Sequence, residues 1–124
     1  IYDELKHNYQ KIYIDIEEHR ISKEVHDYLY INFALTGFIS GSSKALGQTA
    51  LAHEMYYAVR KYFTREGLGF LHGEIVGTSL ILQLAYNKQE NQIPEFVDFM
   101  KKMQMPVRLQ ELGVPETEKN KEII

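Results

Sequence analysis

The sequence predicts an all-α protein, a bundle of about five main helices. Apolar residues recur at spacings of three and four along most of the chain, which is the period of a helix with one buried face. No segment shows the persuasive alternation of apolar and polar residues that a half-buried strand requires. With 124 residues, 44% of them hydrophobic and 12% aromatic, the chain is long enough to bury one substantial core.

Two helices are expected in the first third of the chain. Apolar residues from Leu5 to Ile16 mark one face of a helix that ends near residue 20. A second helix is expected over residues 22–39, with Ser22 as the N-cap because its hydroxyl can accept a bond from a free backbone N–H. Beyond Leu29 its apolar residues almost encircle the helix axis, so we expect burial on most sides.

The centre of the chain predicts two further helices joined by a glycine-containing link. One is expected over residues 44–65, capped by Ser42 or Ser43, with alanines that allow a neighbouring helix to approach closely. The other, over residues 73–88, is apolar almost all round and should be the most buried element. Glu74 in its first turn suits the positive end of the helix dipole.

The last third predicts a fifth helix and a short sixth one. Pro94 stands at an early helical position, where its missing N–H does no harm, and the short helix should stop at Gly113. We therefore expect one helical domain over residues 1–116. Residues 117–124 are charged and poor in apolar side chains, which is typical of a loose tail.

Composition argues against several classes of partner. The formal net charge is −3 and basic residues form no run longer than two, so nucleic acid is not an expected partner. The longest apolar run is interrupted and shorter than the ~20 residues that cross a bilayer, and we expect neither a membrane span nor a signal peptide. The absence of cysteine excludes disulfides and thiolate metal sites and is compatible with the cytoplasm, where we expect the protein.

His53 and His72 are the candidate site residues. They belong to different predicted helices, and if these helices pack side by side the two imidazoles can face one another, as ligands of one divalent metal would. No local motif supports this, because Tyr57 stands where an H-E-x-x-H motif needs its second histidine. Each His alone is more often a hydrogen-bonded core or cleft residue. The other three histidines are expected to be solvated: His7, His19 and His26.

A series of short motifs extends this argument over residues 25–113. An alanine-rich helix carries His53, and after it come LHGEIVG at 71–77, LQL at 82–84, the segment 93–103, and the pairs Pro106-Val107 and Leu112-Gly113. In this order they closely resemble the C-terminal helical domain of glycerol dehydrogenases, in the iron-containing alcohol dehydrogenase and dehydroquinate synthase superfamily. In that family the His of H-G-E and an earlier helix His are metal ligands, and they correspond to His72 and His53.

The resemblance implies an NAD(P)-dependent alcohol or polyol dehydrogenase. Its metal, Zn²⁺ or Fe²⁺, would be held by His53, His72 and an aspartate expected upstream of Ile1, and would polarise the substrate hydroxyl for hydride transfer. Neither Asp3 nor Asp15 lies in the family's aspartate motif, and the nucleotide-binding domain is missing. The chain is therefore expected to be a fragment, inactive alone, of a cytoplasmic homo-oligomer that acts on a small polyol or alcohol.

Two alternatives remain open. The segment GSSK at 41–44 resembles a stretch of the glycerol-1-phosphate dehydrogenase branch, which would favour a phosphorylated substrate. Against this, that branch tends to carry Glu-His where this chain has Ala52-His53. The other alternative is a non-catalytic helical module, which predicts that His53 and His72 point apart or pack without a cavity between them.

Overall fold

The computed structural model describes residues 2–43 and 50–123, and the regular structure in these ranges is entirely helical. The all-α prediction is confirmed. The chain divides into two compact units, residues 1–47 and 48–124. The expected single helical domain over residues 1–116 stays a prediction. None of the described helices has the length and apolar composition needed to span a bilayer.

The described part of the first unit, residues 2–43, consists of two helical segments joined by a turn over residues 18–22. Helix α1 is followed by a continuous run of α2, a π-helical segment and α3; their bounds are Tyr2–Glu17, Lys23–Leu29, Tyr30–Leu35 and Thr36–Ser42. The hydroxyl of Ser22 accepts a hydrogen bond from the backbone N–H of Val25 at 3.3 Å. This bond confirms Ser22 as the N-cap of α2.

The run from α2 to α3 is largely exposed, so the expected burial on most sides is wrong. Its buried residues are Val25 and Ile31 alone, whereas Phe33 is 79% exposed and Phe38 is 71% exposed. Apolar side chains on all sides of a helix favour its burial against other elements. They do not show that the same unit contains a partner for that surface.

Asp15 is a buried charge at the junction of α1 and α2, with only 1% of its surface exposed. Lys11 donates to its Oδ2 at 2.5 Å, and Arg20 donates from Nε to its Oδ1 at 2.8 Å. Lys11 also pairs with Glu24 of α2 at 3.1 Å, which ties the two helices together. Hydrogen bonds from Lys11, then Ser22 and Arg20, outweigh desolvation and lower the pKa of Asp15 from 3.8 to about 2.

We expect this network to make the stability of α1 and α2 depend on pH in the acid range. A carboxylate whose pKa is lowered by folding contributes stability that is complete above its unfolded pKa and is lost as pH falls through the folded one. The window runs from about pH 4 down to about pH 2 for Asp15. Asp15→Asn should lower the melting temperature at pH 7 and flatten its decline within that window, as measured by circular dichroism on the full chain.

The matched control is Asp98→Asn, because Asp98 pairs with Lys102 at 2.7 Å on an exposed helix surface. Exposed pairs of this kind contribute little, so this variant should melt like the wild type at each pH. If the melting temperature of the Asp15 variant falls with pH as much as that of the wild type, the buried carboxylate is not the source of the pH dependence.

The second unit is built around helices α4 and α6. Its elements are α4 (Leu51–Tyr62), α5 (Thr64–Gly67), α6 (His72–Tyr86), a 3₁₀ turn (Glu90–Gln92), α7 (Ile93–Lys102), a second 3₁₀ turn (Leu109–Leu112) and α8 (Glu118–Ile123). Pro94 stands in the first turn of α7, and Gly113 ends the second 3₁₀ turn with φ of 78°, as predicted. Helix α8 lies within residues 117–124, which are expected from the sequence to form a loose tail.

The core of the second unit lies where α4, α6 and the segment after Leu109 meet. Val59 and Ile75 are fully buried there and pack with Phe63, Leu112 and Val114. Helix α6 carries more buried residues than any other described helix, which agrees with the prediction. Its buried hydroxyls have acceptors, because Thr78 donates to the carbonyl of Pro106 at 2.7 Å and Ser79 to that of Ile75 at 2.7 Å.

Candidate metal centre

The structure brings His53 and His72 together. His53 is in the first turn of α4 and His72 is the first residue of α6, and their ring centroids lie 5.6 Å apart with the planes tilted by 43°. Two imidazoles that bind one metal at about 2.1 Å in tetrahedral directions have centroids roughly 5 Å apart. His53 is half-buried and His72 is exposed, so the pair is accessible from solvent.

Packing of α4 against α6 accounts for this proximity. The fully buried side chains of Val59 and Ile75 belong to one core cluster, and they hold the two helices side by side. A hydrogen bond adds to this contact, because the side-chain carbonyl of Gln83 accepts from the N–H of Ala52 at 3.3 Å. That N–H is one of the free donors at the start of α4, next to His53. Sequence reasoning gave Gln83 no role.

Glu74 fixes the turn of α6 that carries His72. Its carboxylate accepts a hydrogen bond from the N–H of Leu71 at 2.6 Å. Glu74 is the third residue of α6 and Leu71 is its N-cap, so this is the side-chain bond of a capping box. The negative charge also lies near the positive end of the helix dipole. The predicted role of Glu74 at the helix start is therefore supplemented by a direct bond to the backbone beside His72.

Tyr56 packs against the His72 ring. The ring centroids are 4.3 Å apart and the planes are 75° apart, which is an edge-to-face contact. The guanidinium carbon of Arg60 lies 5.5 Å from the centroid of Tyr56. Neither residue was assigned to the site from the sequence, although their spacing of four residues places both on one helix face.

Within the part of the chain that the structure describes, the two imidazoles form an incomplete ligand set. Among residues 2–43 and 50–123, no group of three or more His, Asp or Glu side chains is arranged to hold a metal ion. The carboxylate of Asp15 is occupied by Lys11 and Arg20. The remaining histidines are exposed, as predicted: His7, His19 and His26. A metal at His53 and His72 would need further ligands from water or from another segment.

The serine-rich segment before α4 does not cap that helix. Ser42 is the last residue of α3, and the hydroxyl of Ser43 donates to the carbonyl of Ser40 at 3.0 Å. Helix α4 begins after Ala50, which offers no side-chain cap. Lys44 and the rest of the segment expected to open this helix, residues 44–49, fall outside the described residues.

A cavity of about 480 Å³ lies elsewhere in the second unit. Met55, Leu82 and Leu109 contribute apolar walls, and Arg108 and Glu116 contribute charges of opposite sign. Neither His53 nor His72 lines it. The volume is within the range of small-molecule sites, but the His pair lies outside this cavity.

Comparisons with known proteins do not assign the chain to a family. No family model, no curated protein and no solved structure matches it. The resemblance to glycerol dehydrogenases therefore depends on the motifs and stays a prediction.

Replacing Glu74 should test how firmly the start of α6 is held. Glu74→Gln removes the charge that strengthens the bond to Leu71 and favours the helix dipole, and we expect a loss of about 1 kcal/mol in the free energy of unfolding. Urea titration of the full chain measures it. Glu54→Gln is the control, since Glu54 is an exposed first-turn residue of α4 without such a bond to any residue that the structure describes. Equal losses in both variants would mean that the charge of Glu74 adds nothing to its bond with Leu71.

Proposed function

We propose that this chain is the metal-binding helical part of an NAD(P)-dependent alcohol or polyol dehydrogenase that resembles glycerol dehydrogenase. His53 and His72 would be two ligands of its Zn²⁺ or Fe²⁺. The observation that carries the proposal is the 5.6 Å separation of their rings. This separation is compatible with two imidazoles that share one ion, and the two histidines stand at the motif positions that correspond to metal ligands in the resembled family. The helical part would then have the C-terminal fold of the dehydroquinate synthase-like family.

The donor set suits the metals named. Imidazole nitrogen is a common ligand of zinc and iron, and catalytic zinc sites use three protein ligands and keep one position open. The third ligand would be the aspartate expected upstream of Ile1. When bound, the metal would act as a Lewis acid that lowers the pKa of the substrate hydroxyl.

The residues of this chain would act mainly by holding ligands in place. Tyr56 covers one side of the His72 ring, Glu74 fixes the turn on which His72 stands, and Gln83 fixes the helix start beside His53. Hydride would pass to NAD(P) bound by a nucleotide-binding domain of the intact enzyme. Since this chain would supply neither that domain nor the third ligand, it would turn over no alcohol alone. The intact enzyme is proposed to be a cytoplasmic homo-oligomer.

Metal binding by the full 124-residue chain tests the proposal. Cobalt(II) titration followed by visible absorbance should reveal a weak site, and His53→Ala and His72→Ala should each lower its affinity at least about 10-fold, or about 1.4 kcal/mol. The double variant should lose little more than either single one, because a single remaining imidazole no longer chelates the ion. His26→Ala is the control, since His26 is exposed and far along the chain in α2. Affinity unchanged in both site variants would leave the non-catalytic helical module as the better description.

The coding sequence upstream of Ile1 provides a test that does not involve metal. We expect an α/β nucleotide-binding region followed by an aspartate in a motif like G-I-x-D-x-x-A-K. Sequencing of the locus and its transcript checks this. An initiator methionine directly before Ile1 would remove the dehydrogenase assignment, whatever the metal affinity of the His pair.

A further inference from the structure

Arg60 joins the end of α4 to the segment that leads into α6. Its Nη1 donates to the carbonyl of Gly67 at 2.6 Å, and its Nη2 donates to the carbonyl of Phe70 at 2.8 Å. Phe70 precedes His72 by only two residues. A guanidinium is planar and directs its N–H groups along fixed lines, so two bonds from one side chain restrain this segment more than two independent bonds would.

Close packing allows Arg60 to reach both carbonyls. Gly67 is buried, and a Cβ placed there would lie 3.3 Å from Cγ1 of Val59 and 3.8 Å from Nη1 of Arg60. A side chain at Gly67 would therefore make a tight contact with Val59, which would have to shift by a few tenths of an ångström. Arg60 itself is half-buried, so its two bonds are partly shielded from water.

The same guanidinium also acts on His72 through an aromatic ring. It lies 5.5 Å from the centroid of Tyr56, within the range of cation–π attraction. Tyr56 in turn meets the His72 ring edge to face at 4.3 Å. Arg60 is thus connected to His72 along two paths, one through the backbone of Phe70 and one through the side chain of Tyr56.

We propose that Arg60 is the positioning residue of the His pair, which holds the imidazole of His72 in the orientation that binds metal together with His53. The metal part of this inference rests on the proposed function. The orientation of His72 can be measured without any metal. Groups that orient a ligating histidine typically change metal affinity by about 10- to 100-fold when they are replaced.

The test uses Arg60→Lys and Arg60→Gln in the full chain, with Arg65→Gln as the matched control. Lysine keeps the charge but cannot reproduce the planar pair of donors, and Arg65 is an exposed arginine of α5. Proton and ¹⁵N NMR of the metal-free protein reports the ring environment of His72, and cobalt(II) titration reports affinity. Both Arg60 variants should move the His72 ring signals towards those of a solvated histidine and weaken cobalt binding about 10- to 100-fold. The Arg65 variant should match the wild type in both measurements.

The outcomes separate this inference from the proposed function. If the wild type binds no cobalt but Arg60→Lys still moves the His72 signals, the metal proposal fails while the positioning role stands. If both Arg60 variants keep wild-type His72 signals and wild-type affinity, the positioning role is wrong. If the Arg60 variants melt at a lower temperature while their His72 signals, recorded below the melting transition, stay unchanged, Arg60 only stabilises the fold and the inference is wrong.

A second variant covers the case in which both Arg60 variants fail to fold. Tyr56→Leu removes the aromatic path and leaves both carbonyl bonds of Arg60 in place, whereas Tyr56→Phe keeps the ring. We expect the leucine variant to weaken the nuclear Overhauser contacts between the His72 and His53 rings, which do not depend on the ring current of Tyr56, and the phenylalanine variant to preserve them. Identical contacts in these two variants would contradict the aromatic path and, with it, the proposed two-path positioning.

Discussion

The packing of α4 against α6 is the constraint on which the candidate site depends. The two histidines are separated along the chain by most of α4 and by all of α5, so no local turn could bring them together. Buried contact among Val59, Ile75 and their neighbours holds the helices side by side, and the bond from Ala52 to Gln83 joins them near His53. The site is thus a product of tertiary structure, and an unfolded chain would offer only isolated imidazoles.

Several local features of the fold could be predicted because one residue determines the chemistry of each. A serine hydroxyl suits the free N–H groups before α2, a proline suits the first turn of α7, and Gly113 suits a left-handed backbone. The proximity of His53 and His72 was predictable only from the expected packing of their helices and from a motif resemblance. In each of these cases a strong pattern and the observed structure agree.

The features that sequence reasoning missed depend on contacts between distant residues. Aspartate is usually a surface residue. Asp15 is buried because Lys11 and Arg20 both donate hydrogen bonds to its carboxylate. Arg60 has the spacing of an ordinary helix arginine, and its partners are backbone carbonyls, which no side-chain pattern in the sequence marks. Exposure of the α2 to α3 run was mispredicted for a related reason, since periodicity describes one helix and not its neighbours.

The π-helical segment Tyr30–Leu35 changes the angular relation between the two ends of its helical run. A regular helix advances by about 100° per residue, whereas the wider turn of a π-helix advances less. Over six residues the deficit is roughly the rotation of one residue. Side chains of α3 such as Phe38 therefore point in a direction different from the one that an α-helical wheel drawn from Ser22 would assign. The apolar side chains before and after the π-helical segment therefore face directions that an uninterrupted α-helix would not give them.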